Sequence, residues 1–260
     1  MFKIGDFVTR NSYDNDILFE IIDIVDNVAY LRGIDVRLYA DSDISDLVLS
    51  TKKEINDDRN DVYKIKHMLN LDRNEYFYLP GKILHIDGDN EYLKRCIDFY
   101  KDMHLEAYGV NIDEENFEKE ITSCLLEYKP DILVITGHDS FKKNKDKNNL
   151  SNYQNSSNFV KATIKAREYE RNQDKLIIIA GACQSFYEDL IKAGANFASS
   201  PKRINIHALD PAIIASAVAL SPNNNQIDLI SLLSKTHYGS DGMGGIITNG
   251  VMYVGYPRWI

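Results

Sequence analysis

At 260 residues, with 44% hydrophobic and 27% charged side chains, the chain is long enough to bury one full α/β core plus a small accessory module. That composition excludes a disordered chain, no apolar stretch reaches the length of a bilayer span, and a formal net charge of −9 argues against broad nucleic-acid binding. Three cysteines without CxxC spacing, and an N-terminus (MFKIGDFVTR) with no extended apolar signal region, predict a chain made and kept in a cytoplasm, without a disulfide or zinc framework.

Residues 1–50 contain four short runs, GDFVTR, ILFEIIDIV, VAYLRGI and VRLYA, rich in β-branched and aromatic residues and separated by Asn, Asp and Gly. They predict a small β-rich module of the SH3-like kind, either a structural appendage or a dock for substrates or an assembly partner. Residues 51–79 open with dense charge and turn weakly helical, which reads as a linker open to clipping, and Pro80-Gly81 marks its end. From Lys82 the pattern alternates: KILHID as strand, NEYLKRCIDFYKDM as helix, LEAYGVNI as strand, EENFEKEITSCLLEYK as helix, DILVIT as strand. Short connections of this kind predict right-handed crossovers and a parallel sheet. The peptide-length polar loop that follows, residues 139–155, is unusual inside a compact domain and is expected to gate substrate or to be cleavage-sensitive. A long helix, NFVKATIKAREYERN, then leads to the apolar strand LIIIA, residues 176–180, and to Gly181-Ala182-Cys183. Downstream come a helix SFYEDLIKAGA, a short strand NFASSP and a strand candidate RINIHAL. A helix capped by Asp210 with Pro211 at its first position, and a Gly-rich tail ending in a hairpin, complete the domain.

Two strands end in chemistry. The run 131–136 ends in Gly137 and delivers His138, and the run 176–180 ends in Gly181-Ala182 and delivers Cys183. In open α/β sheets the carboxyl edge is where ligands bind, and a thiol at the start of a helix has its thiolate stabilised by unpaired backbone N–H groups. Taken alone, Cys183 is a small buried hydrophobe and His138 a satisfied core histidine. Delivered side by side by consecutive strands, they read as nucleophile and base. Cys96 and Cys124 lie in helical patterns as structural thiols. His85 and His207 fall inside apolar runs and read as structural, His67 and His104 as surface residues, and His237 is uninformative.

The segments HIDGD, YKPDILVITGHD, NYQNSSNFVKATIKAREYE, IIIAGACQSFYEDLIKAGANFASSPKRINIHALDP and GMGG, with GDFVTRNSYDNDILFEI near the N-terminus, closely resemble the YabG family of sporulation-specific proteases. The resemblance covers most of the chain. It implies a cysteine peptidase that trims spore coat and cortex-related proteins, acting in the mother-cell cytoplasm and then associated with the coat, with His138 and Cys183 as the catalytic pair and no cofactor or metal. The arrangement also resembles the caspase-like α/β/α sandwich, where one strand ends in the catalytic histidine and the next in Ala-Cys, as Ala182-Cys183 does. It departs from that pattern at the histidine, which Gly137 precedes and Asp139 follows.

In the mechanism so implied, Cys183 attacks a peptide carbonyl and His138 protonates the leaving amine. The Cys183 N–H and a backbone N–H near Gly137 or Asp139 hold the oxyanion, while Asp139 either orients the imidazole or caps the loop. Asp87 and Asp89, at the end of the first strand, are candidates for binding a basic side chain before the scissile bond, arginine above all; equally, they read as a turn cap and a helix cap. Ser199, Ser200 and Asp210 are weaker pocket-wall candidates. A rival reading gathers His85, Asp87, Asp89, His138 and Asp139 into a two-metal phosphoesterase site. A third makes the chain a non-catalytic coat scaffold. Self-cleavage in the charged linker is permitted by its lysines and arginines.

Overall fold

A computed structural model describes residues 2–50 and 75–258; most of the stretch read as a linker, residues 51–74 with His67, lies outside the described residues. The chain divides into two compact units, Met1–Asp57 and Asp58–Ile260. In the first, the alternating runs pair as a five-stranded antiparallel sheet of β1 (Phe7–Arg10), β2 (Phe19–Val25), β3 (Val28–Gly33), β4 (Tyr39–Asp43) and β5 (Leu47–Leu49). Alternation turns Val8, Phe19, Ile21, Ala29 and Leu31 to one side as the core. β5, which returns to pair with β1, is too short for its pattern to stand out in the sequence.

The second unit carries strands β6 (Phe77–Leu79), β7 (Ile83–Asp87), β8 (Ala107–Asn111), β9 (Ile132–Thr136), β10 (Ile177–Ala180), β11 (Phe197–Ser199), β12 (Met243–Gly245) and β13 (Tyr253–Gly255). Its longer helices are α1 (Asn90–Asp102), α2 (Phe117–Tyr128), α3 (Ser156–Tyr169), α4 (Tyr187–Lys192) and α5 (Asp210–Ala219), followed by α6 (Leu229–Leu233) and α7 (Gly239–Gly242). The main sheet has the order β12-β11-β10-β9-β7-β8 and is parallel except for β12. Its central strands are buried on both faces, which is why they read as unbroken apolar runs.

Alternate residues serve opposite layers. Ile83, Val134, Ile177 and Ile179 face a core shared with Cys96, Phe99 and Tyr100 of α1 and Ile213 and Ala217 of α5. Leu84, Leu133, Ile135 and Ile178 face Ile121 and Leu125 of α2 and Phe159 and Ala162 of α3. Each fully buried Ile or Leu contributes about 1.5–3 kcal/mol, and a one-residue slip would exchange the two faces, so the register is strongly fixed. α5 is buried along its whole length, in keeping with its nearly all-apolar sequence. All three cysteines are buried thiols, and burial pushes the Cys124 thiol up, with Glu120 and Glu127 adding to the effect.

Three expectations are corrected. RINIHAL does not enter the sheet, because the place beside β11 is taken by β12. The tail does not fold on itself as a hairpin: β12 pairs with β11, and β13 pairs with β6, at the end of the stretch read as a linker. Cys183 does not start a helix. It lies in a turn before α4, which begins at Tyr187.

Candidate active site

The chain passes from β7 to β8 on one side, then returns to place β9 on the other, so the strand order reverses between β7 and β9. The carboxyl ends of those two strands flank the crevice where open α/β sheets bind ligands. β7 supplies Asp87-Gly88-Asp89 there, and β9 supplies Gly137-His138-Asp139. β10 lies next to β9 with Ala180 opposite Ile135, and counting three residues on from that pair reaches Cys183 on one strand and His138 on the other. The two residues expected to meet are thus sent to one edge from adjacent strands.

His138 is held from two sides. Its Nε2 lies 3.1 Å from Asp89 Oδ2, and its backbone N–H donates to Glu114 Oε1 at 2.7 Å. Tyr92 of α1 stands edge-on to the imidazole, with ring centroids 5.9 Å apart. The Glu114 carboxylate fits because its neighbours are glycines: a Cβ at Gly88 or Gly137 would meet Glu114 Oε1 at 2.3 or 2.5 Å. No local pattern marks this residue, since the contact joins the segment after β8 to the loops after β7 and β9.

Asp89 also caps α1, its Oδ1 accepting the N–H groups of Glu91 and Tyr92 at 2.8 and 3.1 Å. Its own N–H donates to Asp87 Oδ1 at 2.9 Å. Asp87 is fully buried and accepts the Thr136 hydroxyl at 2.7 Å. Thr136 has one proton and gives it to Asp87, so His85 Nε2, 2.7 Å from the same hydroxyl, is the donor. His85 Nδ1 then accepts from Tyr100 Oη at 2.9 Å. This chain makes His85 a satisfied core histidine, as its sequence context suggests, and it ties both aspartates to internal partners.

Asp139 turns away from the imidazole. It accepts the N–H groups of Ser140 and Asn155 at 2.9 and 2.8 Å and the hydroxyls of Ser185, at 2.9 Å, and Ser156. Burial pushes its carboxyl up, and these four bonds oppose that shift. Of the two roles open to Asp139 in the sequence, the geometry is that of a loop anchor, and the carboxylate beside the imidazole is Asp89.

The turn carrying Cys183 depends on Gly181, which has φ 107°, in the left-handed region; a Cβ there would also stand 2.8 Å from Leu190 Cδ1. Cys183 is fully buried. The N–H against its Sγ comes from Ile206, at 3.3 Å. Ile204–Ile206 is laid along the turn: Gln184 N–H donates to Ile204 O at 3.0 Å, and Gln184 Nε2 to Asn205 Oδ1 at 3.1 Å. Gln184 Oε1 accepts from Phe141 N–H at 3.1 Å, joining the long loop to the same turn.

That loop is closed at its base. Phe141 and Tyr153 form a β-bridge, and the Tyr153 ring stacks on Phe186 with centroids 5.2 Å apart and planes at 4°. Arg203 lies over the Phe186 ring at 5.0 Å and donates to Tyr153 Oη at 2.7 Å. Residues 142–149 at the tip are exposed.

Among the described residues, the group of His, Cys, Asp and Glu side chains close enough to share a metal ion is His207, Asp210 and His237, not the set in HIDGD and GHD. The buried core histidine and the internally bonded Asp87 account for that difference.

A parallel α/β sheet with a thiol and an imidazole at adjacent strand ends suits acyl transfer, and the family match makes the chain a peptidase. The family model described as YabG peptidase U57 matches residues 3–257, and the chain belongs to that family. It is 42% identical over 286 aligned positions to the sporulation-specific protease YabG of Bacillus subtilis (strain 168), covering 98% of both chains. No helix among the described residues is long and apolar enough to cross a membrane.

Proposed function

We propose that this chain is a sporulation-associated cysteine endopeptidase of caspase-like architecture in which Cys183 is the nucleophile and His138 the acid–base. The observation supporting this reading is the register that sends these two residues to the adjacent ends of β9 and β10, with β9 itself bordering the switch point of the sheet. The Cys183 thiolate adds to the scissile carbonyl carbon; the tetrahedral intermediate collapses as protonated His138 gives its proton to the leaving amine. Water, deprotonated by His138, then cleaves the thioester and regenerates the thiol. Asp89 holds the imidazole by Nε2, which leaves Nδ1 to exchange the proton.

The oxyanion is assigned to the N–H groups of Cys183 and Asp139. Among the described residues no acceptor is hydrogen-bonded to the Asp139 N–H, while its side chain fixes the peptide through four bonds. Gly137 contributes by giving the Glu114 carboxylate room below His138. Ile204–Ile206 covers the thiol, so turnover requires that segment to lift.

An arginine preference rests on the gathering of Asp87, Asp89 and Glu114 at one edge. Asp87 and Asp89 supply negative potential although their oxygens are engaged, and Glu114 is the half-buried carboxylate nearest the surface of the three. Coat and cortex-related proteins are the proposed substrates, supported by the sporulation role in the relative's name, with the mother cell as the site of action and self-cleavage in the linker read over residues 51–79.

The test is cleavage of a coat-type protein by wild type, Cys183→Ala and His138→Ala, with and without chelator, with cut sites mapped by mass spectrometry. Loss of cleavage in both variants, indifference to chelator and cuts clustered after arginine are expected. Cleavage that survives in Cys183→Ala would overturn the mechanism.

A further inference from the structure

Beside the thiol lies a polar cluster that the chemistry above does not use. Ile206, whose N–H meets Cys183 Sγ, is followed by His207; Asp210 opens α5; and His237 comes from the turn between α6 and α7. One nitrogen of each imidazole and one oxygen of Asp210 lie within 4.8 Å of one another. The two rings stack with centroids 3.5 Å apart and planes at 21°. Asp210 does not cap its own helix. Fully buried, it accepts the His207 N–H at 3.2 Å and both the N–H and the Nδ1 of His237 at 2.9 Å.

Two features point to a cation. Among the described residues, the ion-pair partner of the Asp210 carboxylate is the His237 imidazole, and a buried carboxylate without a full cation beside it is costly. The donor set is also suitable: two imidazoles and one carboxylate bind zinc-like first-row ions, and a carboxylate has about four acceptor sites, so Asp210 retains capacity beyond its three hydrogen bonds.

We propose that His207, Asp210 and His237 bind a first-row divalent cation of the zinc type, and that the bound ion pins Ile204–His207 over Cys183 and so brakes the peptidase. The braking half rests on the reading of Cys183 as the nucleophile; the metal site stands apart from it. Metal–ligand bonds of about 2.0–2.2 Å put ligand atoms roughly 3–3.5 Å apart, so the cluster must tighten by about an ångström. His237, with its side chain 20% exposed, is the member placed to move. The bond given up is the 3.2 Å one from Leu209 N–H to His207 Nδ1. Either Nδ1 turns its lone pair to the metal, or Nε2 does and Nδ1 takes the proton. His237 either releases its Nδ1 proton to solvent or keeps it on Asp210 and binds through Nε2.

The experiment uses the full chain as Cys183→Ala, which removes the thiolate as a competing ligand. The protein is dialysed against Zn²⁺ and, separately, Co²⁺; bound metal is counted, and cobalt ligand-field absorption gives a second readout. One equivalent is expected, with affinity at least tenfold weaker in His237→Ala and His237→Gln proteins of unchanged circular dichroism. Absence of binding, or equal binding in both variants, overturns the site. With Cys183 restored, zinc inhibition of peptide cleavage at least tenfold weaker in His237→Ala supports the brake, and equal inhibition overturns it. If Cys183 is not the nucleophile, Cys183→Ala cleaves as wild type does, and the metal count still decides the site.

Discussion

Replacing Asp89 by asparagine separates its two tasks. The α1 cap survives, because asparagine accepts the Glu91 and Tyr92 N–H groups about as well as aspartate. What is lost is the charge facing His138 Nε2 at 3.1 Å. A hydrogen bond to a charged group is worth about 1.5–3 kcal/mol, and because the imidazole is 24% exposed the lower half of that range applies. At about 1.4 kcal/mol per decade, kcat/KM should fall roughly 10- to 40-fold, chiefly in kcat, while the melting temperature stays within about 2 °C of wild type. Asp89→Ala should lose the same activity and also the cap, about 1 kcal/mol, lowering Tm by a further 2–4 °C or so. Steady-state cleavage of paired peptides, one with arginine and one with alanine before the scissile bond, measured beside thermal melts, resolves these effects. Activity of Asp89→Asn within threefold of wild type would refute the positioning role. A collapse of the arginine-to-alanine ratio with kcat intact would mean that Asp89 touches substrate instead.

Glu114→Gln keeps an acceptor for the His138 N–H and removes the charge, so KM for arginine peptides should rise several-fold with alanine peptides unaffected; equal effects on both would end the proposal of an acidic edge. Asp139→Ala strands two backbone N–H groups and two hydroxyls, a loss of about 3 kcal/mol, and should lower Tm by roughly 6–12 °C in a calorimetric scan. Gly181→Ala forces a side chain into a left-handed backbone against Leu190 and should cost about 1–3 kcal/mol, seen as a lower denaturant midpoint with an unchanged slope. Iodoacetamide should modify Cys183 slowly in the folded protein and rapidly in denaturant, and fast modification of the native chain would show that Ile204–Ile206 does not shield it.

The strands of the parallel sheet were legible because both of their faces are buried, which leaves runs such as DILVIT and LIIIA with nothing polar to confuse them. His138 and Cys183 stand out in the sequence as the first polar or reactive residues after those runs, one directly after Gly137 and the other two residues after Gly181. The helix-cap role of Asp89 followed from its place before an amphipathic segment. What the pattern hides is partnership across the chain. Nothing local shows that Glu114 reaches under His138, that Asp139 bonds to Ser156 and Ser185 while Asp89 takes the imidazole, or that β13 pairs with β6. RINIHAL misleads for a physical reason. Its alternate isoleucines, Ile204 and Ile206, resemble a half-buried strand, but they lie along the Cys183 turn and have no place in the sheet.

The clasp at the base of the long loop also decides what a nick there would do. The exposed residues 142–149 invite a cut, yet both resulting ends are already anchored, one by Phe141 and the other by Tyr153 packed between Phe141 and Phe186. His138 stays on one fragment and Cys183 on the other, with β9 and β10 still paired along their length. Such a cut would turn one polypeptide into a two-chain particle that elutes at its original size and separates only when unfolded.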